Sequence, residues 1–262
     1  TYPLTNDQII FFRKNGFIKL KRVFTPGTIL KLRAELINLL EKAFNVDPDK
    51  GANDRFLSLE MIWLNNTLLR SYVLSPRLGQ ISANLLGVSK IRLYHDNVLA
   101  KQSGCGRTPW HYDDHHFPLD TNDVVTAWIP AQPTPIEMGP LSFAYPLDVH
   151  KLVNDVKFEK NCASYDKGVA EVFSKNGVAI NETPFDLGEF SFHHNLNFHT
   201  ASRNKTNRRR IALANTYYRD GAKVINSPTM VSGDWQKFMP GVKPGGIAVR
   251  PLNPICWPVD DN

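Results

Sequence analysis

The chain has 262 residues, 42% hydrophobic and 21% charged, enough for one large β domain or two small ones with a sizeable core. No apolar run approaches the roughly 20 residues of a membrane helix, so no membrane partner is expected. The formal net charge is +6, and three cysteines, Cys105, Cys162 and Cys256, form no C-x-x-C spacing. That odd count argues against a disulfide framework or a Cys-based zinc site and points to a reducing, cytoplasmic compartment.

In chain order, Thr5-Asn6-Asp7-Gln8 has the spacing of a capping box and predicts a short helix ending before Gly16. Gly16 to Lys21 alternates as a strand does. Thr25-Pro26 then sets an N-cap and a first-turn proline. Ile29, Leu32, Leu36, Leu39 or Leu40, and Phe44 recur at helical spacing, which predicts a long helix packed on a core. Val46 to Asp54 is a loop by composition, and Pro76 to Leu86 is a second helix stopped by Gly87. Beyond Lys90 the pattern changes to short strands: Ile91–Ala100, Pro109–Asp113, Val124–Ile129, Leu141–Tyr145, Gly188–His194 and Arg209–Tyr218. Residues 148–186 are polar and irregular and are expected to be an insertion that covers a site. Residues 47–64 are the second candidate for that cover.

These elements predict a mainly β (α+β) fold in one domain, 1–262. N-terminal helices occupy about 1–88, a jelly-roll core about 89–220 with its insertion at 148–186, and a C-terminal tail 221–262. No internal repeat or low-complexity linker is present.

The chemistry centres on Trp110-His111-Tyr112-Asp113. In an extended stretch, His111 and Asp113 share a face while Tyr112 and Asp114 point away. An imidazole and a carboxylate together are two-thirds of the 2-His-1-carboxylate triad of non-haem Fe(II) sites. Alone, His-x-Asp is common and equally suits a polar surface turn. A second stretch, His199 to Arg210, offers another imidazole and a carboxylate-binding arginine. In the run Arg210, Ala212, Ala214 alternate positions are small, leaving room for a ligand, with Arg209, Ile211 and Leu213 on the opposite face. The turn Asn204–Asn207 is expected to fold this strand back beside the one bearing His199. A guanidinium fork matches a carboxylate.

Here the chain resembles the phytanoyl-CoA dioxygenase family of Fe(II)- and 2-oxoglutarate-dependent oxygenases. His199, Asn204, Thr206 and Arg210 stand in the register of that family's H-x-S-x-x-N-x-[ST] turn and its arginine, with Ala201 in place of the usual Ser. Lys101 to Asp113, KQSGCGRTPWHYD, is similar to the family's entry to the metal site. VTAWIP (Val125–Pro130), Glu137–Leu141 and the tail Phe238–Trp257 extend the likeness over about residues 8–257. The resemblance implies a double-stranded β-helix, Fe(II) on His111, Asp113 and His199, 2-oxoglutarate on Arg210, and O2 as co-reactant. It also implies that Thr108, Trp128, Asn97 and Lys101 contact 2-oxoglutarate. Lys101 reads equally as a solvated strand-edge charge.

Of the other histidines, His95 and His150 read as ordinary polar or core residues. His115 shares the parity of His111 but falls past the strand end. His116, His193 and His194 are open between pocket lining, packing and a hydrogen bond. The substrate is expected to be a small molecule, and the basic surface suits an anionic one. Arg203, Lys205 and Arg208 read as a solvated turn, and with no aromatic platform or nucleic-acid module no nucleic-acid partner is expected. A halogenase of the same fold would lack the carboxylate at position 113, and a non-catalytic jelly-roll protein would have no use for Arg210 in register with His199.

Overall fold

The N-terminal caps form as their residue types dictate. A computed structural model describes residues 1–45, 55–154, 163–228 and 234–259. Helix α1 (Asn6–Asn15) starts at Thr5, whose hydroxyl accepts from the Gln8 amide at 3.2 Å while the Gln8 side chain accepts from the Thr5 amide at 2.9 Å. It stops at Gly16, whose φ of 78° is left-handed and open to glycine. Strand β1 (Phe17–Leu20) follows, then helix α2 (Pro26–Phe44) with Thr25 as its cap. Ile29, Leu32, Leu36 and Leu40 are fully buried along α2. The loop expected at 46–54 lies outside the described residues.

Strand β2 (Phe56–Glu60) and helix α3 (Thr67–Val73) were not legible in the pattern; α4 (Pro76–Leu86) was. The strands that follow are β3 (Ile91–Lys101), β4 (Thr108–His111), β5 (Val124–Pro130) and β6 (Leu141–Tyr145). After them come α5 (Ala163–Lys175), β7 (Ala179–Asn181), β8 (Phe190–His194), β9 (His199–Ala201), β10 (Arg210–Arg219) and β11 (Ile255–Trp257).

Two antiparallel sheets face each other, as in a jelly roll, without closing into a barrel. The larger has seven strands ordered β1-β8-β5-β10-β3-β11, with β2 also on β3; the smaller runs β4-β9-β6-β7. Strand β10 shows how the layers are specified. Its Ile211, Leu213 and Tyr217 join the core between the large sheet and the N-terminal helices. Its Ala212 and Ala214 face the other way, into the inter-sheet layer with Trp128, Phe17 and Phe143. Strand alternation thus assigns one face to packing and leaves the other roomy.

Three expectations change. The turn after β9 does not return the chain beside it: β10 lies in the opposite sheet, so the turn crosses the gap. The reason is Asn204, buried, whose amide donates to the carbonyls of Lys101, Gln102 and Arg208 and pins the turn to the end of β3. The segment 148–186 is not irregular throughout: α5 docks Tyr165, Val169 and Phe173 onto Trp110 and Phe198, outside the small sheet. The stretch after residue 220 is more than a tail, since β11 pairs with β3, and Trp235, Phe238, Met239 and Val242 close a second core with Tyr94 and Tyr218. Among the described residues no helix is long and apolar enough to cross a membrane.

Truncating the helix-facing side of β10 should be costly. Leu213→Ala is expected to lower the unfolding free energy by about 2–5 kcal/mol. Leu30→Ala, on the exposed side of α2, should change it by no more than about 0.5 kcal/mol. Urea denaturation of both variants checks the pair.

Candidate active site

Between the sheets lies a cavity of about 430 Å³. Its floor is the inner face of the large sheet, where strand pairing sets residues in rows. Arg210 opposes Lys101 at one end; then come Ala212 with Leu99, Trp128 with Ala214 and Asn97, and Thr126 with Thr216 and His95. The small sheet supplies Thr108, His111, Leu141, His199 and Ala201 from the other side. The rim carries Phe56 and Glu60 of β2 and Asp234, Lys237 and Phe238 of the C-terminal segment. Glu60 and Lys237 form an ion pair across it.

His111, Asp113 and His199 present one donor atom each, all within 4.8 Å of one another. Neighbouring strands do this: β4 and β9 pair His111 directly against His199. Asp113 arrives differently from the strand-parity expectation. β4 ends at His111, and Asp113 opens a 3-10 turn, Asp113–His116. The amides of Asp113 and Asp114 both donate to the Asn195 carbonyl, at 2.8 and 3.0 Å, and this turns the carboxylate inward. Its Oδ1 lies 3.9 Å from His111 Nε2 and 3.7 Å from His199 Nε2.

The tautomers are fixed by backbone. His111 Nδ1 lies 2.8 Å from the Pro109 carbonyl, and His199 Nδ1 lies 3.0 Å from that of Asn197. A carbonyl only accepts, so each Nδ1 bears a proton and each Nε2 is the ring nitrogen turned to the cluster. Burial, followed by the nearby His111, holds the His199 pKa well below the usual range, so it is a free base at neutral pH. Burial alone would raise the Asp113 pKa, but His199, His193 and His111 together hold it well below the usual carboxylate range. Two imidazoles and a carboxylate suit a divalent first-row ion, and small side-chain rotations bring the donors to bonds of about 2.0–2.2 Å.

Arg210 closes the far end of the cavity. It is 2% exposed, donates from Nη1 to the Gly139 carbonyl at 2.6 Å, and lies 5.3 Å from the centre of the Trp128 ring. Its Nε has no hydrogen-bond partner, and among the described residues no carboxylate pairs with it. Burial lowers its pKa to about 10, so it stays charged. A buried cation without a countercharge is a standing demand for an anion. Gly139 matters to this end: its φ is +72°, and a Cβ there would sit 2.2 Å from the Ser202 carbonyl oxygen. Only glycine lets the β6 approach pass so close to the β9 end and still present its carbonyl to Arg210.

The structure brings Thr108, Trp128 and Asn97 into the cavity lining with His111, Asp113, His199 and Arg210. Lys101 is different. It is 1% exposed, so it is no solvated edge charge, and it does not line the cavity. Its ammonium donates to the carbonyls of Ala201 and Ser202 at 3.0 and 2.7 Å, tying β3 to the end of β9. Burial first, and Arg210 next, lower its pKa to about 7. The expected cover at 148–186 supplies no described residue to the lining; β2 and the segment Asp234–Phe238 do so instead. His115 lies in the 3-10 turn with its ring against Tyr112. Arg203, Lys205 and Arg208 are exposed, while Arg209 leaves the cavity side and donates to Gln102 at 3.1 Å.

His193, left open by its sequence, belongs here. It is buried, and its Nε2 lies 3.4 Å from Asp113 Oδ2, the oxygen turned away from the other two imidazoles. A histidine one residue before the end of a predicted strand carries little signal, because the contact joins β8 to a turn about 80 residues earlier. Strand parity with Arg210 and Trp128 would have found two further lining residues, Thr216 and Thr126.

The sequence model of the phytanoyl-CoA dioxygenase family matches residues 12–212. Among solved structures, the chain is similar to SnoK, a non-haem α-ketoglutarate-dependent carbocyclase from nogalamycin biosynthesis, at 23% identity, covering 96% of each chain, with a TM-score of 0.77. The epimerase SnoN of the same biosynthesis follows at 20% identity, 95% and 97% coverage and a TM-score of 0.74. EctD from S. alaskensis has 18% identity, 95% and 89% coverage and a TM-score of 0.72. At such identities the likeness establishes the fold. No curated protein matched.

The Asp113–His193 contact predicts an effect on metal affinity. His193→Phe, which removes the partner of Oδ2, should weaken Fe(II) binding roughly tenfold to a hundredfold, and His193→Gln, which keeps a donor, should weaken it less. Anaerobic metal titration checks the order.

Proposed function

The chain belongs to the phytanoyl-CoA dioxygenase family, and on that premise we propose an Fe(II)- and 2-oxoglutarate-dependent oxygenase that hydroxylates a small organic molecule in secondary metabolism. The observation that carries this reading is the pairing within one cavity of a His-Asp-His donor set with a buried, countercharge-free guanidinium. A structural metal site would need only the first, and a surface anion site would not bury the second.

Bound Fe(II), with 2-oxoglutarate and O2, supplies an oxidant for an unactivated C–H bond and yields succinate and CO2. The chain's own residues do the rest. His111 and His199 would hold the ion through Nε2, with Asp113 as the third ligand, its carboxylate offsetting part of the ion's charge. Arg210 receives the distal carboxylate of 2-oxoglutarate through a fork whose Nε is unengaged. Trp128, Thr108 and Asn97 wall the cosubstrate in. The rim of Phe56, Glu60, Lys237 and Phe238 keeps bulk water from the reacting atoms. As a ligand, Asp113 would take the place that a halide needs, which favours an oxygenated over a halogenated product. The similar carbocyclase and epimerase belong to nogalamycin biosynthesis, and the epimerase has been solved with nogalamycin RO bound, which supports a small-molecule substrate here.

Ala substitution at His111, Asp113 or His199 should each lower bound iron and abolish succinate formation. Arg210→Ala should raise the 2-oxoglutarate requirement roughly a hundredfold, the cost of leaving one partner of a desolvated pair alone. Arg209→Ala, facing away, should leave it nearly unchanged. Iron content and succinate assays read all five variants; equal behaviour of the two arginine variants would contradict the assignment.

A further inference from the structure

The large sheet brings four polar side chains into a single row across the cavity floor. Register opposes His193 to Thr126, Thr126 to Thr216, and Thr216 to His95. Opposed residues in antiparallel strands share a face, about 4.8 Å apart from strand to strand. All four line the cavity. The row begins at His193, beside Asp113, and ends at His95, whose ring lies 4.6 Å from that of Phe238 and 6.0 Å from that of Phe117.

At the centre of the row the hydroxyls of Thr126 and Thr216 are 2.9 Å apart, and the residues are 7% and 2% exposed. Two hydroxyls carry two protons, and their mutual bond uses one. Among the described residues neither hydroxyl has another partner, so one proton and spare lone pairs face the cavity. The neighbouring His95 Nδ1 is also buried without a partner. Each buried donor left unused costs on the order of 1–3 kcal/mol, which a ligand oxygen would recover.

The outer end of the row offers no cation. Burial lowers the His95 pKa to about 4, so the ring is neutral at pH 7. Lys237 is engaged by Glu60 at the rim, and Arg210 stands at the other end, three rows away, committed to the cosubstrate. The exposed carboxylate of Asp234 adds a negative charge where a substrate would enter.

We propose that the Thr126–Thr216 hydroxyl pair, flanked by His95, is the substrate-orienting subsite and takes a hydroxyl or carbonyl oxygen of an uncharged, ring-bearing molecule. The inference rests on the oxygenase reading above and replaces the anionic substrate suggested by the basic surface. Phe117 and Phe238 cover the ring, and a larger molecule projects past Phe56 and Asp234. The row runs from Asp113 outward, so an oxygen held at its centre sets a neighbouring carbon beside the His-Asp-His cluster.

The test measures succinate formation by the Fe(II)-loaded enzyme with 2-oxoglutarate and a panel of uncharged cyclic alcohols and ketones, each matched to a carboxylate and a phosphate-ester counterpart. The uncharged members are expected to stimulate succinate formation and their charged counterparts not. The Thr126→Val/Thr216→Val double variant, at full iron content, should need roughly tenfold more of the same compound for half-stimulation, and Ser at both positions should restore it. Equal or better stimulation by the charged members, an unchanged half-stimulation in the double variant, or no response to the panel by a wild-type enzyme that binds 2-oxoglutarate would each overturn the subsite. Failure of the iron-loaded wild type to bind 2-oxoglutarate at all would instead remove the oxygenase reading on which the subsite rests.

Discussion

A guanidinium sealed inside a protein without a carboxylate costs several kcal/mol unless something else supplies the charge. Arg210 is in that position, and much of the molecule is arranged around it. It opens the inner face of β10, the strand that pairs with both β3 and β5 at the centre of the large sheet. Among the described residues its hydrogen-bond partner is a carbonyl, delivered by a glycine that threads past the end of β9. Beyond it the same face carries Ala212 and Ala214, side chains too small to fill the gap between sheets. The outcome is a charged, water-poor pocket leading to two imidazoles and a carboxylate. An anion that chelates a metal with one end and pairs with Arg210 through the other satisfies both needs at once.

The two sheets meet through a few polar ties whose acceptors are backbone carbonyls. Lys101 reaches across to the end of β9, and Asn204 clamps the crossing turn to the end of β3. Between them they hold β9, and with it His199, at a set distance from β10. The imidazoles are oriented in the same economical way, each by the carbonyl two residues before it. Orientation by main chain is rigid, because moving the carbonyl means moving a strand.

Much of the fold was legible from alternation and caps. The helices at 6–15 and 26–44 follow from Thr5 and Thr25-Pro26, and six of the strands between Ile91 and Arg219 follow from alternation, whereas β7 and β11 do not. The site was legible where the resemblance supplied spacing: His111, Asp113, His199 and Arg210 do converge on one cavity. The route to convergence was not. Asp113 is turned in by a 3-10 turn held on Asn195, a partner more than 80 positions away that no local pattern encodes. Lys101 looked like an edge charge because Lys is seldom fully buried, and only the folded structure shows the two carbonyls that receive it. The insertion was misread because α5 hides Tyr165, Val169 and Phe173 among polar residues, and these seat it on the outside of the barrel-like body. The rim comes from β2 and from Asp234–Phe238, segments separated by more than 170 residues and joined across the opening by the Glu60–Lys237 pair.

The central claim is that one small anion bridges the His-Asp-His cluster and Arg210. Crystals grown without oxygen in the presence of Mn(II) and 2-oxoglutarate, with anomalous data collected for the metal, test it most directly. The account predicts a metal peak bonded to His111 Nε2, His199 Nε2 and an Asp113 oxygen, with 2-oxoglutarate chelating it and its far carboxylate on Arg210. A metal centred on His193, or 2-oxoglutarate bound with its far carboxylate away from Arg210, would contradict the account.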